Sequence, residues 1–202
     1  MFVNHIILAM LWIVYCVLHS VLASQWLKHK LKQKMKNYKL YRVWYTLFAF
    51  AFLVGLIYYQ IEIPTIALFS LNYFVLVAGI IIGLSGLLLM LVCIRKYFMS
   101  LSGLRSLFIE NYSNELQITG VHKYIRHPLY LGTFVFIWGM FLLLPYLSLF
   151  ISNLVITIYT LIGIELEEKK LIAEFGEQYC EYRRKVPKLI PFIKPNDGNK
   201  LS

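Results

Sequence analysis

The sequence predicts an all-α protein, a polytopic membrane bundle of about five transmembrane helices followed by a C-terminal amphipathic cytosolic helix. The first observation is compositional: 59% of the 202 residues are hydrophobic and only 15% are charged, and the apolar residues fall in long blocks. The second is the placement of charge. All twenty Lys and Arg residues lie in three stretches, 28–42, 95–126 and 169–200. A net charge of +10 that flanks apolar blocks suits a phospholipid surface, so we expect the lipid bilayer as a partner and no nucleic acid.

The first two predicted spans are residues 2–27 and 41–59, each about long enough to cross a hydrocarbon layer of about 30 Å. The second begins and ends with aromatic residues, which favour membrane interfaces. The first carries His19 and Ser20 near its end. Two interpretations stay open: the pair holds neighbouring helices together, or it contributes to a buried site, because ionisable groups are costly inside a membrane.

The third predicted span, residues 69–93, carries Gly79, Gly83 and Gly86 at spacings of four and three. Such a ridge of small residues favours close helix packing over a cofactor role. The fourth and fifth apolar runs, residues 129–144 and 147–164, are joined across a proline. A junction this short indicates antiparallel neighbours.

From residue 165 onward the pattern becomes amphipathic, with Leu171, Phe175 and Tyr179 on one helical face. Gly176 interrupts the pattern and predicts a break or kink there. We expect this helix to lie in the interface or to cap the bundle. Residues 1–193 are predicted to form a single domain and residues 194–202 a disordered tail.

With five crossings, the three basic stretches share one side of the membrane. The positive-inside rule then places the N-terminus outside and the C-terminus in the cytosol, with a bacterial inner membrane as the expected location. Two polar clusters fall on the same cytosolic side. We call residues 120–132 (GVHKYIRHPLYLG) the RHP strip and residues 165–168 (ELEE) the acidic cluster.

The two clusters lie before the fourth apolar run and after the fifth, so the intervening hairpin should return them to one membrane face. Arg126 is a permanent cation with a bidentate fork, and His127 adds a titratable imidazole. With Glu167 and Glu168 opposite, the site suits a zwitterion, its carboxylate near Arg126 and an ammonium or sulfonium near the glutamates. Tyr124 and Tyr130 could add aromatic faces to a cation. The alternative is a plain interfacial Arg–Glu bridge beside a solvated helix start.

The sequence contains neither Gly-x-Ser-x-Gly nor His-Glu-x-x-His, so neither a serine hydrolase nor a metal site is predicted. The pattern Gly120-x-His122-x-x-x-Arg126-His127-Pro128-x-Tyr130-x-Gly132, followed by Glu167-Glu168, Phe175-Gly176, Tyr179 and Tyr182, resembles the membrane methyltransferases. These include isoprenylcysteine carboxyl methyltransferases and phospholipid N-methyltransferases. The resemblance covers roughly residues 116–192 and is specific, because two separated motifs occur in order. A weaker likeness, through His19-Ser20 and Gly103-Leu104-Arg105, is to the bacterial thiol S-methyltransferase branch.

The resemblance implies S-adenosylmethionine in a cytosolic pocket and a methyl acceptor that arrives from the bilayer. It implies a catalytic role for Arg126, in anchoring, and for Glu168, in cofactor binding or proton removal. The implied cofactor-binding residues are Gly120, His122, Arg126, His127, Tyr130, Glu167 and Glu168. His122 stands where the family commonly has tyrosine, and Gly163 stands where carboxyl-methylating members often have arginine. The acceptor therefore stays open between a thiol, an isoprenylcysteine-like carboxylate and a lipid amine.

Two other functions remain as alternatives. A membrane-embedded reductase of the sterol type would bind NADPH and not S-adenosylmethionine. A non-catalytic membrane assembly protein would keep its cellular role after Arg126→Ala or Glu168→Ala.

Overall fold

The computed structural model describes residues 1–24, 27, 30, 33, 38–101 and 116–191. Within these ranges the chain forms a 3₁₀ helix at Gly120–Lys123 and six α-helices: α1 (Phe2–Ala23), α2 (Tyr38–Glu62), α3 (Tyr73–Leu101), α4 (Pro128–Leu143), α5 (Leu147–Phe175) and α6 (Glu177–Lys185). The predicted helical class is confirmed. Gly103, Arg105, the predicted tail 194–202 and part of the basic loop 28–42 lie outside the described residues.

Four helices in the described part are long and apolar enough to cross a membrane: α1, α2 from Val43, α3 as far as Arg95, and α5. Helix α4 is apolar but has only 16 residues. At 1.5 Å per residue it is about 24 Å long, slightly less than a hydrocarbon core of about 30 Å. This agrees with the expectation of about five membrane helices, of which the fourth is short.

The separate amphipathic helix expected to begin at residue 165 is instead the continuation of α5, which runs unbroken from Leu147 to Phe175. Neither Ile164 nor Glu165 is a residue that ends a helix, and the residues that follow are good helix formers. The helix ends where Gly176 adopts a φ of 54°, a left-handed conformation that favours glycine. The predicted break is thus confirmed, and α6 begins directly after it.

The chain divides into two compact units, Met1–Ser70 with Leu144–Tyr159, and Leu71–Leu143 with Thr160–Ser202. The prediction of one domain over residues 1–193 stays a prediction. In the first unit, Trp12 packs in an apolar core and donates its indole N–H to Gln60 Oε1 over 3.3 Å. The same amide oxygen accepts from Ser152 Oγ over 2.5 Å. One amide therefore joins three helices of this unit.

His19 and Ser20 also belong to the first unit, and both have hydrogen-bond partners on other helices. His19 Nδ1 shares a hydrogen bond with the Tyr45 hydroxyl over 3.3 Å. Ser20 Oγ shares one with the Tyr159 hydroxyl over 2.9 Å. These bonds favour the interpretation in which the pair holds helices together.

In the second unit, the glycine ridge of α3 packs against α4 at backbone distance. A Cβ added to Gly86 would lie 2.8 Å from the Gly132 carbonyl oxygen and within 3 Å of Phe136 backbone atoms. A Cβ added to Gly139 would overlap the backbone of Gly83. The packing role predicted for the ridge is confirmed at Gly83 and Gly86. The contact also fixes Gly132, the last residue of the RHP strip, against α3.

Candidate active site

The RHP strip is held in place by the chain segment that follows α6. Arg126 donates its backbone N–H to the Pro187 carbonyl over 2.9 Å, and His127 donates to Lys188 over 3.1 Å. Pro128 then begins α4, at a helical position where a missing N–H has no cost. These two hydrogen bonds between irregular segments orient two consecutive side chains, those of Arg126 and His127.

The guanidinium of Arg126 is buried, with 7% of the residue exposed, and it is bound by protein groups on both edges. Nε donates to Glu168 Oε1 over 2.9 Å, and Nη2 forms an ion pair with the same oxygen at 2.8 Å. Nη1 donates to the carbonyl oxygens of Arg183 and Val186, each over 2.7 Å. The predicted meeting of the two clusters is therefore present, and Arg126 ties α5 to the end of α6.

Glu168 is as deeply buried as Arg126, at 3% exposure. Besides Arg126, its Oε1 faces His127 Nε2 at 3.2 Å. Its Oε2 lies 3.6 Å from Lys188 Nζ and 4.0 Å from Arg183 Nε. Both carboxylate oxygens therefore have cationic neighbours within the protein, which satisfies a buried charge that would otherwise be costly.

His127 lies between the two glutamates of the acidic cluster. While Nε2 contacts Glu168, Nδ1 is 3.8 Å from Glu167 Oε2. The ring centroid is 5.7 Å from that of Tyr130. Each ring nitrogen of His127 therefore has a carboxylate oxygen within 4 Å.

A cavity of about 340 Å³ opens beside these groups in the second unit. Five of the predicted site residues line it, namely His122, Arg126, His127, Tyr130 and Glu167. The others are not among its lining residues: Glu168 lies behind Arg126 and His127, and Gly120 begins the 3₁₀ helix with a φ of 65°. Tyr124, expected to offer a ring to a cation, is 65% exposed and also lies outside the lining.

Four further lining residues were assigned from sequence to the apolar face after residue 165, namely Leu171, Phe175, Tyr179 and Tyr182. Lys170 and Glu174, which were expected to point away from that face, line the cavity as well. That face was expected to lie in the interface or to cap the bundle, and in the structure it forms a wall of the cavity. One signal could have revealed this: Glu167, Leu171 and Phe175 recur every four residues, so they share a helix face.

Two buried polar atoms among the cavity-lining residues have no hydrogen-bond partner, Glu167 Oε2 and the Tyr179 hydroxyl. Tyr179 is only 1% exposed. Burial, reinforced by the negative charge of Glu168, raises the pKa of its phenol, so the group remains a neutral donor. Sequence reasoning missed Tyr179, because a tyrosine at helical spacing is most often a packing residue. Buried atoms of this kind normally have partners, which marks this part of the cavity as a place for a ligand.

The chemistry of the lining matches a ligand with both signs of charge. Glu167 and Glu174 supply negative charge, while Arg126 and Lys170 supply positive charge, and aromatic rings lie among them. In the part of the chain that the structure describes, no group of His, Cys, Asp and Glu side chains is arranged to hold a metal ion. The cavity thus suits an organic zwitterion.

The model of the phospholipid methyltransferase family matches residues 74–178, which include the RHP strip, the acidic cluster and most of the cavity. The chain belongs to this family. The membership confirms the resemblance to membrane methyltransferases, and together with the apolar helices it identifies an integral membrane protein.

Curated relatives carry two kinds of name. A methanethiol S-methyltransferase from Crocosphaera subtropica is 43% identical over 100 residues, which cover 46% of this chain and 38% of that protein. A second, from Pseudomonas deceptionensis, is 37% identical over 81 residues, 39% of this chain and 29% of that protein. A protein-S-isoprenylcysteine O-methyltransferase from Schizosaccharomyces pombe is 37% identical over 84 residues, 41% of this chain and 36% of that protein.

The matched segments therefore cover less than two-fifths of each relative's own length. No solved structure shows a significant match to this chain.

Proposed function

We propose that the chain is an S-adenosylmethionine-dependent membrane methyltransferase and that the cavity beside the RHP strip binds the methyl donor. The family membership supports the reaction class, and the unpartnered Glu167 Oε2 and Tyr179 hydroxyl support the location. A volume of about 340 Å³ is in the range of small-molecule sites, roughly 300–1,000 Å³. The single observation that carries the proposal is the cavity's combination of opposite charges, aromatic rings and unpartnered buried polar atoms.

The structure favours different roles for the predicted site residues. In this proposal Glu167 contacts a positively charged group of the donor with Oε2, the oxygen that has no hydrogen-bond partner. Tyr130 offers an aromatic face to that charge. His122 and His127 complete the wall of the cavity. Arg126 and Glu168 hold that wall together, since their polar atoms are already engaged with protein partners. Gly120 does not line the cavity; its role is to permit the turn with which the RHP strip begins.

S-Adenosylmethionine supplies a methyl group on a positively charged sulfur, open to in-line displacement by a nucleophile. The protein's own tasks are to align the two reactants and to keep water out. A carboxylate acceptor needs no base. A thiol or an amine must lose a proton, and His127, whose imidazole lines the cavity, is the residue that we propose accepts it.

A small thiol is the acceptor that we favour. Several relatives that match this chain are named methanethiol S-methyltransferases, and His127 provides the proton acceptor that a thiol requires. An isoprenylcysteine carboxylate is the second candidate, favoured by relatives named for that reaction. The cluster of Lys and Arg around the site supports a cytosolic position for the cavity and an outside N-terminus.

The proposal is tested with membranes that contain the overproduced chain, incubated with methyl-labelled S-adenosylmethionine and methanethiol. We expect label in a volatile thioether, in proportion to the amount of the chain, and a large loss of label with Glu167→Gln. Control membranes without the chain fix the background. Label in a prenylated cysteine ester or in lipid would replace the thiol as the acceptor. No labelled product with any acceptor, together with no binding of the donor to purified protein, would contradict the proposed function.

A further inference from the structure

Tyr179 combines complete burial with an unused hydroxyl. The residue is 1% exposed, its oxygen has no hydrogen-bond partner among the described residues, and it lines the cavity. A buried hydroxyl without a partner lowers stability, because it loses its bonds to water and gains none in return. A retained group of this kind is explained if its partner is a ligand.

The neighbouring tyrosine of the same helix shows the contrast. The Tyr182 hydroxyl also belongs to the cavity wall, but it donates to the His122 carbonyl over 2.7 Å. The two rings pack edge to face with centroids 5.9 Å apart. Tyr182 therefore anchors the 3₁₀ helix and holds the ring of Tyr179 in position, while the hydroxyl of Tyr179 stays available.

The surroundings of Tyr179 indicate which part of a zwitterion it would meet. Glu167, which lines the same cavity, has a carboxylate oxygen without a hydrogen-bond partner, and a negative charge there suits an ammonium group. Tyr179 offers an O–H donor, and both Arg126 and Lys170 add positive charge to the lining. A free acceptor and a free donor in one cavity match the two charged ends of an α-amino acid.

We infer that Tyr179 is a specificity-determining residue, whose hydroxyl donates a hydrogen bond to the carboxylate at the amino-acid end of the methyl donor, while Glu167 receives the ammonium. The inference rests on the proposed function and extends it to a residue that the sequence analysis did not name as a site residue.

The experiment compares two probes on purified protein in detergent, S-adenosylhomocysteine, which has the amino-acid end, and 5′-methylthioadenosine, which lacks it. With Tyr179→Phe, we expect the dissociation constant of S-adenosylhomocysteine to rise by about 10-fold or more, as for a lost hydrogen bond to a charged group. The dissociation constant of 5′-methylthioadenosine should stay within twofold. The midpoint of thermal unfolding should stay the same or rise, because the variant removes an unpaired buried oxygen.

Tyr124→Phe is the matched control, since this exposed ring lies outside the cavity lining, and it should change neither probe. An equal loss of affinity for both probes, or no loss for either, would overturn the inference. A wild-type protein that binds neither probe would instead count against the proposed function itself, so the two failures are distinguishable.

Discussion

Removal of the Glu168 carboxylate tests whether the Arg126–Glu168 pair holds the site together. In Glu168→Ala the guanidinium loses one of its three hydrogen bonds, the 2.9 Å bond from Nε, together with the 2.8 Å ion pair from Nη2, and keeps the two bonds to carbonyl oxygens. It stays buried with an uncompensated charge. Loss of one partner from such a pair costs about 3–5 kcal/mol, so we expect the free energy of unfolding to fall by that amount.

The measurement is denaturant or thermal unfolding of the purified protein in one detergent. Glu177→Ala is the matched control, because Glu177 pairs with Arg184 at the surface, with side chains 71% and 60% exposed, and solvent screens that pair. The double variant Arg126→Met/Glu168→Leu should be less destabilised than the sum of the single variants. An effect of Glu168→Ala no larger than that of Glu177→Ala would refute the reasoning.

Three further variants address other parts of the chain. Gly86→Ala should destabilise the protein by about 1–3 kcal/mol, because the new methyl group meets the α4 backbone. Gly55→Ala is the control and should not destabilise it, since nothing lies within 4 Å of the added carbon. Equal thermal unfolding midpoints for the two variants would contradict the close helix contact. Gln60→Ala should cost about 1–3 kcal/mol in the same assay by leaving the Trp12 indole N–H without its partner, and an unchanged midpoint would count against that network. Glu167→Gln should weaken S-adenosylhomocysteine binding about tenfold, as measured by calorimetry. It should leave the free energy of unfolding nearly unchanged, because the side chain is 42% exposed. A loss of stability like that of Glu168→Ala would contradict this role for Glu167.

The membrane helices were predictable because a long apolar block is a local property of the sequence. The return of the acidic cluster to the RHP strip was also predictable, since two short apolar runs separate them. The true length of α5 was missed because the change from apolar to amphipathic pattern at residue 165 resembles a helix boundary, although no residue there ends a helix. Gly176 was the real boundary, and its left-handed conformation explains it.

The inner detail of the site was not predictable. Glu167 and Glu168 are neighbours in sequence, yet Glu167 lines the cavity and has an oxygen without a hydrogen-bond partner, whereas Glu168 is enclosed by cations. The difference depends on the rotation of α5 and on the segment after α6, whose carbonyl groups bind Arg126. Neither is encoded in a local motif. The free hydroxyl of Tyr179 likewise follows from tertiary packing alone.

The central claim is that the cavity formed by the RHP strip, the end of α5 and α6 is where the methyl donor binds. Ultraviolet cross-linking of methyl-labelled S-adenosylmethionine to the purified protein, followed by peptide mapping, tests it directly. The account predicts label in peptides from residues 120–132 or 167–182, and loss of that label with excess S-adenosylhomocysteine. Specific label confined to residues 1–70 would contradict it.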